Sequence, residues 1–332
     1  MKEIWFIGYR GEKTFDYFCK VASKSSLRFG ILDLDLLAEA SKASVLLTSK
    51  GLELTLDSEV FRIGNDSVVF QRMFLRQLAN AAHSKLLLEF ISAFDAWSAR
   101  AEAMVVNPIA SGGQNRNKLE HILRLRELGF KIPDTIASNC GLIASNSINP
   151  DHRWISKGCS SIRTSVETVD KSSFGNIDSL AVCPSQFQTK VDGNDVRVHL
   201  VGKRHVSVRI STDADDYRYA SKDGFEVEYS ETVCPDHILV LAREYARREK
   251  LPFAGFDFRV SNDDWVVLEC NPMPGFDFYD RVLDEKISQL LIEYLSASAT
   301  RRSGDGSVSF PALSPDSKTF ISPSRRPKTN HS

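Results

Sequence analysis

Between Phe253 and Asp280 the chain reads FAGFDFRVSNDDWVVLECNPMPGFDFYD, and within it Asp257, Glu269 and Asn271 stand where hydrophobic patterning would otherwise put apolar side chains. Both halves alternate. A turn at Asn262, Asp263 and Asp264 predicts a hairpin in which Phe256 faces Cys270, Phe258 faces Leu268 and Val260 faces Val266, all on one apolar face. The same register sets Asp257 opposite Glu269 on the reverse face, with Asn271 two residues further along. Adjacent carboxylates repel unless a cation lies between them. A set of oxygen donors this small suits Mg²⁺ or Mn²⁺, which keep waters and share their coordination shell with substrate phosphates. The plainer alternative is a solvated pair on an open sheet face. Against it, Phe253, Trp265, Phe276 and Phe278 make the surroundings apolar, and Pro272 and Pro274 end the strand just past Asn271.

The elements that must position these residues belong to a chain of 332 residues, long enough for a sizeable core and for two or three domains. With 42 Lys and Arg against 43 Asp and Glu, the balance argues against a protein that coats nucleic acid. No apolar run approaches the length of a membrane span, and MKEIWFIGYRGE lacks the basic start of a signal peptide. Cys19, Cys140, Cys159, Cys183, Cys234 and Cys270 show no paired spacing, which indicates neither a zinc site nor a disulfide framework and fits a reducing cytoplasm.

Residues 1–105 read as an α/β unit: a strand at 4–8, a helix through 15–22, strand-like runs at 31–34, 45–47 and 67–70, then helix from Gln71 to about Ala103, interrupted near His83 and Ser84. No Gly-x-Gly-x-x-Gly fingerprint follows the first strand, so a dinucleotide fold is unsupported. Leu119, Ile122, Leu123 and Leu128 recur at helical spacing, with Asn117 as N-cap, Gly129 at the C-terminal end and Pro133 beyond it. Lys118, in the first turn, opposes the helix dipole unless an anion is near. Lys157 lies in a strand-like stretch and is followed by the small-residue loop Gly158–Ser161 and by Arg163, a pattern that lets backbone and cations approach an anion. Residues 183–188 read as a connector between two lobes. Residues 196–201 and 206–210 read as a hairpin around Gly202-Lys203, with Arg197 and His199 sharing a face that is either solvated or anion-binding. A helix over 236–249 buries Ile238, Leu239, Ala242, Tyr245 and Ala246 and carries a solvated cluster of Arg243, Arg247, Arg248 and Lys250. A last helix covers about 285–296, and the Ser, Pro, Arg and Lys-rich tail beyond 299 is expected to be disordered.

In this order the segments resemble the ATP-grasp superfamily of carboxylate-amine ligases, and within it the branch of ribosomal-protein glutamate ligases and graspetide peptide cyclases. The resemblance runs from about Val105 to Leu295, through NKLEHILRLRELGFKIPDT, FQTKVDGNDVRVHLVG, and GFDF followed by LECNPMPGF. It implies an α+β fold in which two lobes, 106–185 and 186–298, clasp ATP behind an α/β N-terminal domain of residues 1–105, with 299–332 as a tail. It further implies that Lys118 and Lys157 reach the ATP phosphates and that the loop bearing Ser160, Ser161 and Arg163 folds over them. Gln186, Phe187, Gln188 and Thr189 would lie where adenine meets the hinge. Asp257, Glu269 and Asn271 would hold Mg²⁺ or Mn²⁺. Arg197 would face the transferred phosphoryl and acyl groups, with Arg209 and Arg218 toward a substrate carboxylate. Thr189 departs from the acidic residue that this branch usually carries after the hinge glutamine.

The chemistry implied is attack of a substrate carboxylate on the γ-phosphate of ATP, then attack of an amine on the acyl phosphate. The substrate is an amino acid, a peptide or a protein, and neither nucleic acid nor membrane is a partner. A homodimer is the default association. Two other readings stay open: a catalytically silent nucleotide- or peptide-binding protein on the same scaffold, and a kinase that joins no amine.

Overall fold

The computed structural model describes residues 1–111, 117–159, 167–169, 184–212 and 224–300. Ser160, Ser161, Arg163, Cys183, Arg218 and the tail from residue 301 lie outside the described residues.

The chain opens with strand β1 (Ile4–Gly8), helix α1 (Lys13–Ser23), strand β2 (Gly30–Asp33) and a short helix α2 (Leu36–Glu39). Three antiparallel strands follow, β3 (Ala43–Thr48), β4 (Gly51–Leu56) and β5 (Glu59–Gly64), and then β6 (Val68–Gln71), helix α3 (Ala81–Ser98) and β7 (Met104–Val106). β2, β1, β6 and β7 pair in that order as a parallel sheet. Both of its faces are covered, as parallel sheets require. Phe6 and Phe70 pack on Phe15 and Phe18 of α1, while Ile7 and Val69 pack on Phe90, Phe94 and Trp97 of α3.

A second, antiparallel sheet has the order β10-β9-β11-β8, from β8 (Thr135–Ser138), β9 (Trp154–Gly158), β10 (Glu167–Val169) and β11 (Ser185–Thr189). Helix α4 (Lys118–Glu127) precedes it, and helix α5 (Gly141–Ser147) covers one face through Ala144, Ile148, Trp154 and Phe187. Asn117 caps α4 by accepting the Glu120 N–H at 3.2 Å, and Gly129 takes the left-handed conformation past its end (φ 98°).

The third sheet is antiparallel, in the order β14-β13-β12-β15-β16. Its strands are β12 (Asn194–Val201), β13 (Arg204–Ser211), β14 (Glu228–Glu231), β15 (Phe253–Ser261) and β16 (Asp264–Asn271). Val196, Val198, Phe256 and Phe258 pack on one side against α4 and helix α6 (Asp236–Arg248). On the other side Val201, Val206, Val208 and Phe253 meet helices α7 (Asp277–Val282) and α8 (Lys286–Thr300), and through them α1 and the first sheet. No helix among the described residues is long and apolar enough to cross a membrane.

Three expectations from the sequence are corrected here. Residues 72–80 are not helical, because Arg72 and Met73 turn back onto the Ile7 carbonyl and the Gln71 side chain, and α3 starts only after Asn80, whose side chain caps it. The stretch expected to connect two lobes is instead a strand where it is described: Ser185 to Gln188 belong to β11, an interior strand held on both sides, so the link between the second and third sheets runs over 190–193. The β15–β16 turn has two residues, Asn262 and Asp263, both at positive φ (48° and 65°). A two-residue turn of that kind matches the twist of its strands.

Candidate functional site

The tight turn has a consequence for register. It pairs Val260 with Trp265, Arg259 with Val266 and Phe258 with Val267. Carried further without interruption, that register would set Glu269 opposite Phe256 and bury its charge in the α4/α6 core. Instead the ladder shifts by one between Asp257 and Phe258, leaving Leu268 as the extra residue. Asp257 then faces Glu269, Phe256 faces Cys270 and Gly255 faces Asn271. The bulge thus turns Glu269 and Asn271 toward Asp257, as bulges beside functional sites do. The expected pairing holds at the carboxylates and fails below them, where Val267 rather than Leu268 fills the core face.

Arg197 on β12 is paired with Asp257 in the ladder and also forms an ion pair with its carboxylate. Far from lying on a solvated strand face, Arg197 and His199 are 6% and 0% exposed. Gly255 makes room for the guanidinium. A Cβ there would stand 3.0 Å from both Nε and Nη2 of Arg197 and 2.7 Å from Cβ of Pro274. Asn271 Oδ1 accepts the Met273 N–H at 2.9 Å, which shapes the Asn-Pro-Met turn. His199 stacks near Phe253 and Tyr279, and complete burial drives its pKa well below the ordinary histidine value.

Arg209 does not join this group. It pairs with Val196 and so shares that residue's face, opposite to the face of Arg197, where it is exposed. The alternation of β13 sets its side, and pairing with β12 fixes it.

His121, which sequence reasoning passed over, holds the site from below. Its Nε2 accepts the Cys270 N–H at 2.8 Å, and its Nδ1 lies 2.8 Å from the Tyr245 hydroxyl. One turn of α4 is thereby fastened to β16, next to Glu269, and to α6. Burial lowers the His121 pKa to about 4. The charges of Glu269 and Lys157 both act on this ring, the first raising its pKa and the second lowering it. The backbone of Lys118 is held to the end of β9: its N–H donates to the carbonyl of Cys159 at 3.3 Å, two residues past Lys157.

On the second sheet, Lys157 and Gln186 are directly paired, and Gln186 and Gln188 share their side of β11. Phe187 points the other way, into the small core with Trp154 and Ile148. Its backbone, paired with Ile136 on one side and Ser156 on the other, is interior to the ladder rather than open to a base. Thr189 is also occupied: its N–H donates to the Asp134 carbonyl at 3.0 Å and its hydroxyl accepts the Asp134 N–H at 3.1 Å. The Gln188 Nε2 donates to the Thr135 hydroxyl at 2.8 Å.

No protein-family model matches the sequence, and no curated protein does. Solved structures do resemble it. A RiPP-associated ATP-grasp ligase of Chryseobacterium gregarium, in complex with ADP and a leader and core peptide, aligns over 91% of this chain and 98% of its own, with a TM-score of 0.74 and 18% identity. The macrocyclase MdnC of Microcystis aeruginosa MRC, bound with precursor peptide MdnA, covers 89% and 99%, with a TM-score of 0.71 and 19% identity. D-alanine–D-alanine ligase from Bacillus anthracis covers 90% and 97%, with a TM-score of 0.55 and 13% identity. The chain has the ATP-grasp fold.

Two observations test whether the residues suit the nucleotide and metal that ligases of the ATP-grasp fold use. Among the described residues no group of three or more His, Cys, Asp and Glu could cage an ion unaided. Two facing carboxylates and a nearby amide instead form the partial oxygen set that Mg²⁺ takes up together with phosphates. Second, Gln186 Oε1 is buried with no hydrogen-bond donor among the described residues, on the side of β11 that carries Lys157. A bound base could supply that donor. Both groups fit.

Proposed function

We propose that this chain is an ATP-dependent carboxylate–amine ligase that activates a substrate carboxylate as an acyl phosphate. A carboxylate oxygen attacks the γ-phosphorus, the bond to the β–γ bridging oxygen breaks, and ADP leaves. An amine then attacks the acyl carbon, phosphate departs, and the amine proton passes to solvent. The observation that carries this reading is the bulged β15–β16 register, which sets Asp257 against Glu269 beside the buried Arg197. Asp257, Glu269 and Asn271 would hold a divalent ion, which would supply positive charge to offset that of the phosphates.

Around it the chain's own groups divide the work. Lys118 and Lys157 hold phosphates as point charges. Arg197, preorganised by Asp257 and by the space at Gly255, stabilises charge on the moving phosphoryl and acyl oxygens. The lobes that clasp the nucleotide meet at residues 190–193, with residues 1–105 forming the substrate side. Peptide substrates are favoured, because ligases of like fold have been solved with leader, core or precursor peptides.

The test is incubation with ATP, Mg²⁺, hydroxylamine and a panel of carboxylate-bearing peptides. Hydroxamate formed together with ADP is the expected result. A phosphorylated peptide without hydroxamate indicates a kinase, and nucleotide binding without turnover on any peptide indicates a silent binding protein.

A further inference from the structure

We propose that Asn107 is a positioning residue for the metal site, its side-chain amide standing in for a strand residue so that the amide oxygen of Asn271 is held in one direction; the inference rests on the metal-binding reading given above. The β15–β16 ladder ends at the pair Gly255 and Asn271, yet β15 itself begins two residues earlier, at Phe253. Continued in the same register, β16 would bring Met273 opposite Phe253, but Pro272 ends the strand first. Asn107 takes that position instead. Its Oδ1 accepts the Phe253 N–H at 2.9 Å and its Nδ2 donates to the Phe253 carbonyl. This is the two-bond exchange of a hydrogen-bonded antiparallel pair, made here by a side chain. The same Nδ2 donates to the carbonyl of Pro272, so the residue that follows Asn271 is held as well.

With the edge of Phe253 already occupied, Met273 does not pair there, and its N–H turns back to Asn271 Oδ1 at 2.9 Å. A backbone N–H can bond only the oxygen of a carboxamide, and a hard cation can use only that oxygen too. The Met273 bond therefore fixes the direction of the one side-chain atom of Asn271 able to ligate an ion. The residue type at 107 follows from the same bonds. A carboxylate there would set its oxygen against the carbonyls of Phe253 and Pro272, and an apolar side chain would leave three backbone groups unmatched at a position only 6% exposed. Asn107 is itself anchored to the first sheet: its carbonyl accepts Gln71 Nε2 at 2.6 Å, and Gln71 Oε1 accepts the Met73 N–H at 2.8 Å. The parallel sheet thereby sets the placement of a metal ligand on β16.

Titration of Mn²⁺ into the full chain with ADP present, read by electron paramagnetic resonance, tests this as a double-mutant cycle. Asn107→Ala is expected to weaken Mn²⁺ binding by about tenfold, and Asn271→Ala by at least about tenfold. Combining the two should weaken it by no more than about twofold beyond Asn271→Ala alone, because Asn107 acts through Asn271. A merely structural role would give losses that multiply. Asn107→Ser serves as a second variant, each being checked for folding by circular dichroism. In the metal-free protein, hydrogen exchange gives an independent reading: the Met273 amide should be protected in the wild type and should exchange at least about tenfold faster in Asn107→Ala. Mn²⁺ affinity unchanged in the Asn107 variants, losses that multiply in the combined variant, or a Met273 amide that is unprotected in the wild type each overturns the proposal, and the last of these can be measured even if neither variant folds. A wild type that does not immobilise Mn²⁺ with ADP overturns the metal reading together with it, whereas immobilisation that Asn107→Ala leaves unaltered overturns the proposal alone.

Discussion

Gly255 contributes only space, and at the scale of single residues that space matters as much as any charge. Its missing Cβ is what lets the Arg197 guanidinium and Pro274 close over the strand. Gly255→Ala is expected to leave the protein folded, costing about 1 to 3 kcal/mol from overpacking, while hydroxamate yield falls at least about tenfold as Arg197 is displaced. Full yield in the variant would show that Arg197 does not need this placement. His121 makes a prediction of the opposite kind, one of stability rather than turnover. Its pKa is about 4 in the fold against an ordinary value of 6.5, so between these values the unfolded chain takes up a proton that the folded chain refuses. The stability from a neutral His121 is therefore complete above pH 6.5 and is lost as the pH falls toward 4, by about 3 kcal/mol in all. Buried His199 acts in the same direction. Urea unfolding at pH 7 and pH 5 checks this: the wild type should lose stability on acidification, and His121→Gln should lose less. Neither residue stood out in the sequence. A glycine among strand residues and a histidine on a helix's inner face have many ordinary uses, and only the approach of Arg197 and Cys270 gives them these ones.

At the scale of elements, the β15–β16 hairpin was legible because alternation fixes which side chains share a face. The turn length was not, since Asn262, Asp263 and Asp264 all favour turns and residue types alone leave two or three of them as candidates. A tight turn and a bulge at Leu268 offset each other, so the register inferred with neither still places Asp257 against Glu269 correctly. Deleting Leu268 should remove the offset and drive Glu269 toward Phe256. Burying that carboxylate unpaired is expected to cost more than about 4 kcal/mol. A variant that keeps the wild-type denaturation midpoint would mean that the bulge has no part in orienting the carboxylates. The helix expected from Gln71 failed for a similar reason. Its composition suits a helix, but the Tyr9 hydroxyl donates to the carbonyl of Phe74 and Arg72 is drawn to Glu12, contacts made only after folding.

Across the whole molecule, the first sheet is bound to the loop that follows Asn271, and that connection lay beyond sequence reasoning because its partners are some 200 residues apart. Arg72 holds Glu12 through Nε at 2.9 Å and Nη2 at 3.2 Å, and its Nη1 donates to the Pro274 carbonyl at 2.7 Å. Burial would raise the Glu12 pKa, but Arg72 and the N–H groups of Phe15 and Thr14 hold it below the ordinary value. Asn107 ties in the same region, accepting the Phe253 N–H at 2.9 Å and donating to the carbonyls of Phe253 and Pro272. Arg72→Met should leave Glu12 without its partner and cost about 3 kcal/mol, seen as a lower urea midpoint. An unchanged midpoint would show that the first sheet is not braced there.

The account as a whole stands on Asp257 and Glu269 holding a divalent ion together with the nucleotide, and Mn²⁺ electron paramagnetic resonance reads that directly. Mn²⁺ should become immobilised by the wild type when ADP is added, and should stay free in Asp257→Asn and Glu269→Gln, each folded as judged by circular dichroism. Nucleotide-dependent immobilisation that persists unchanged in both variants would contradict the assignment.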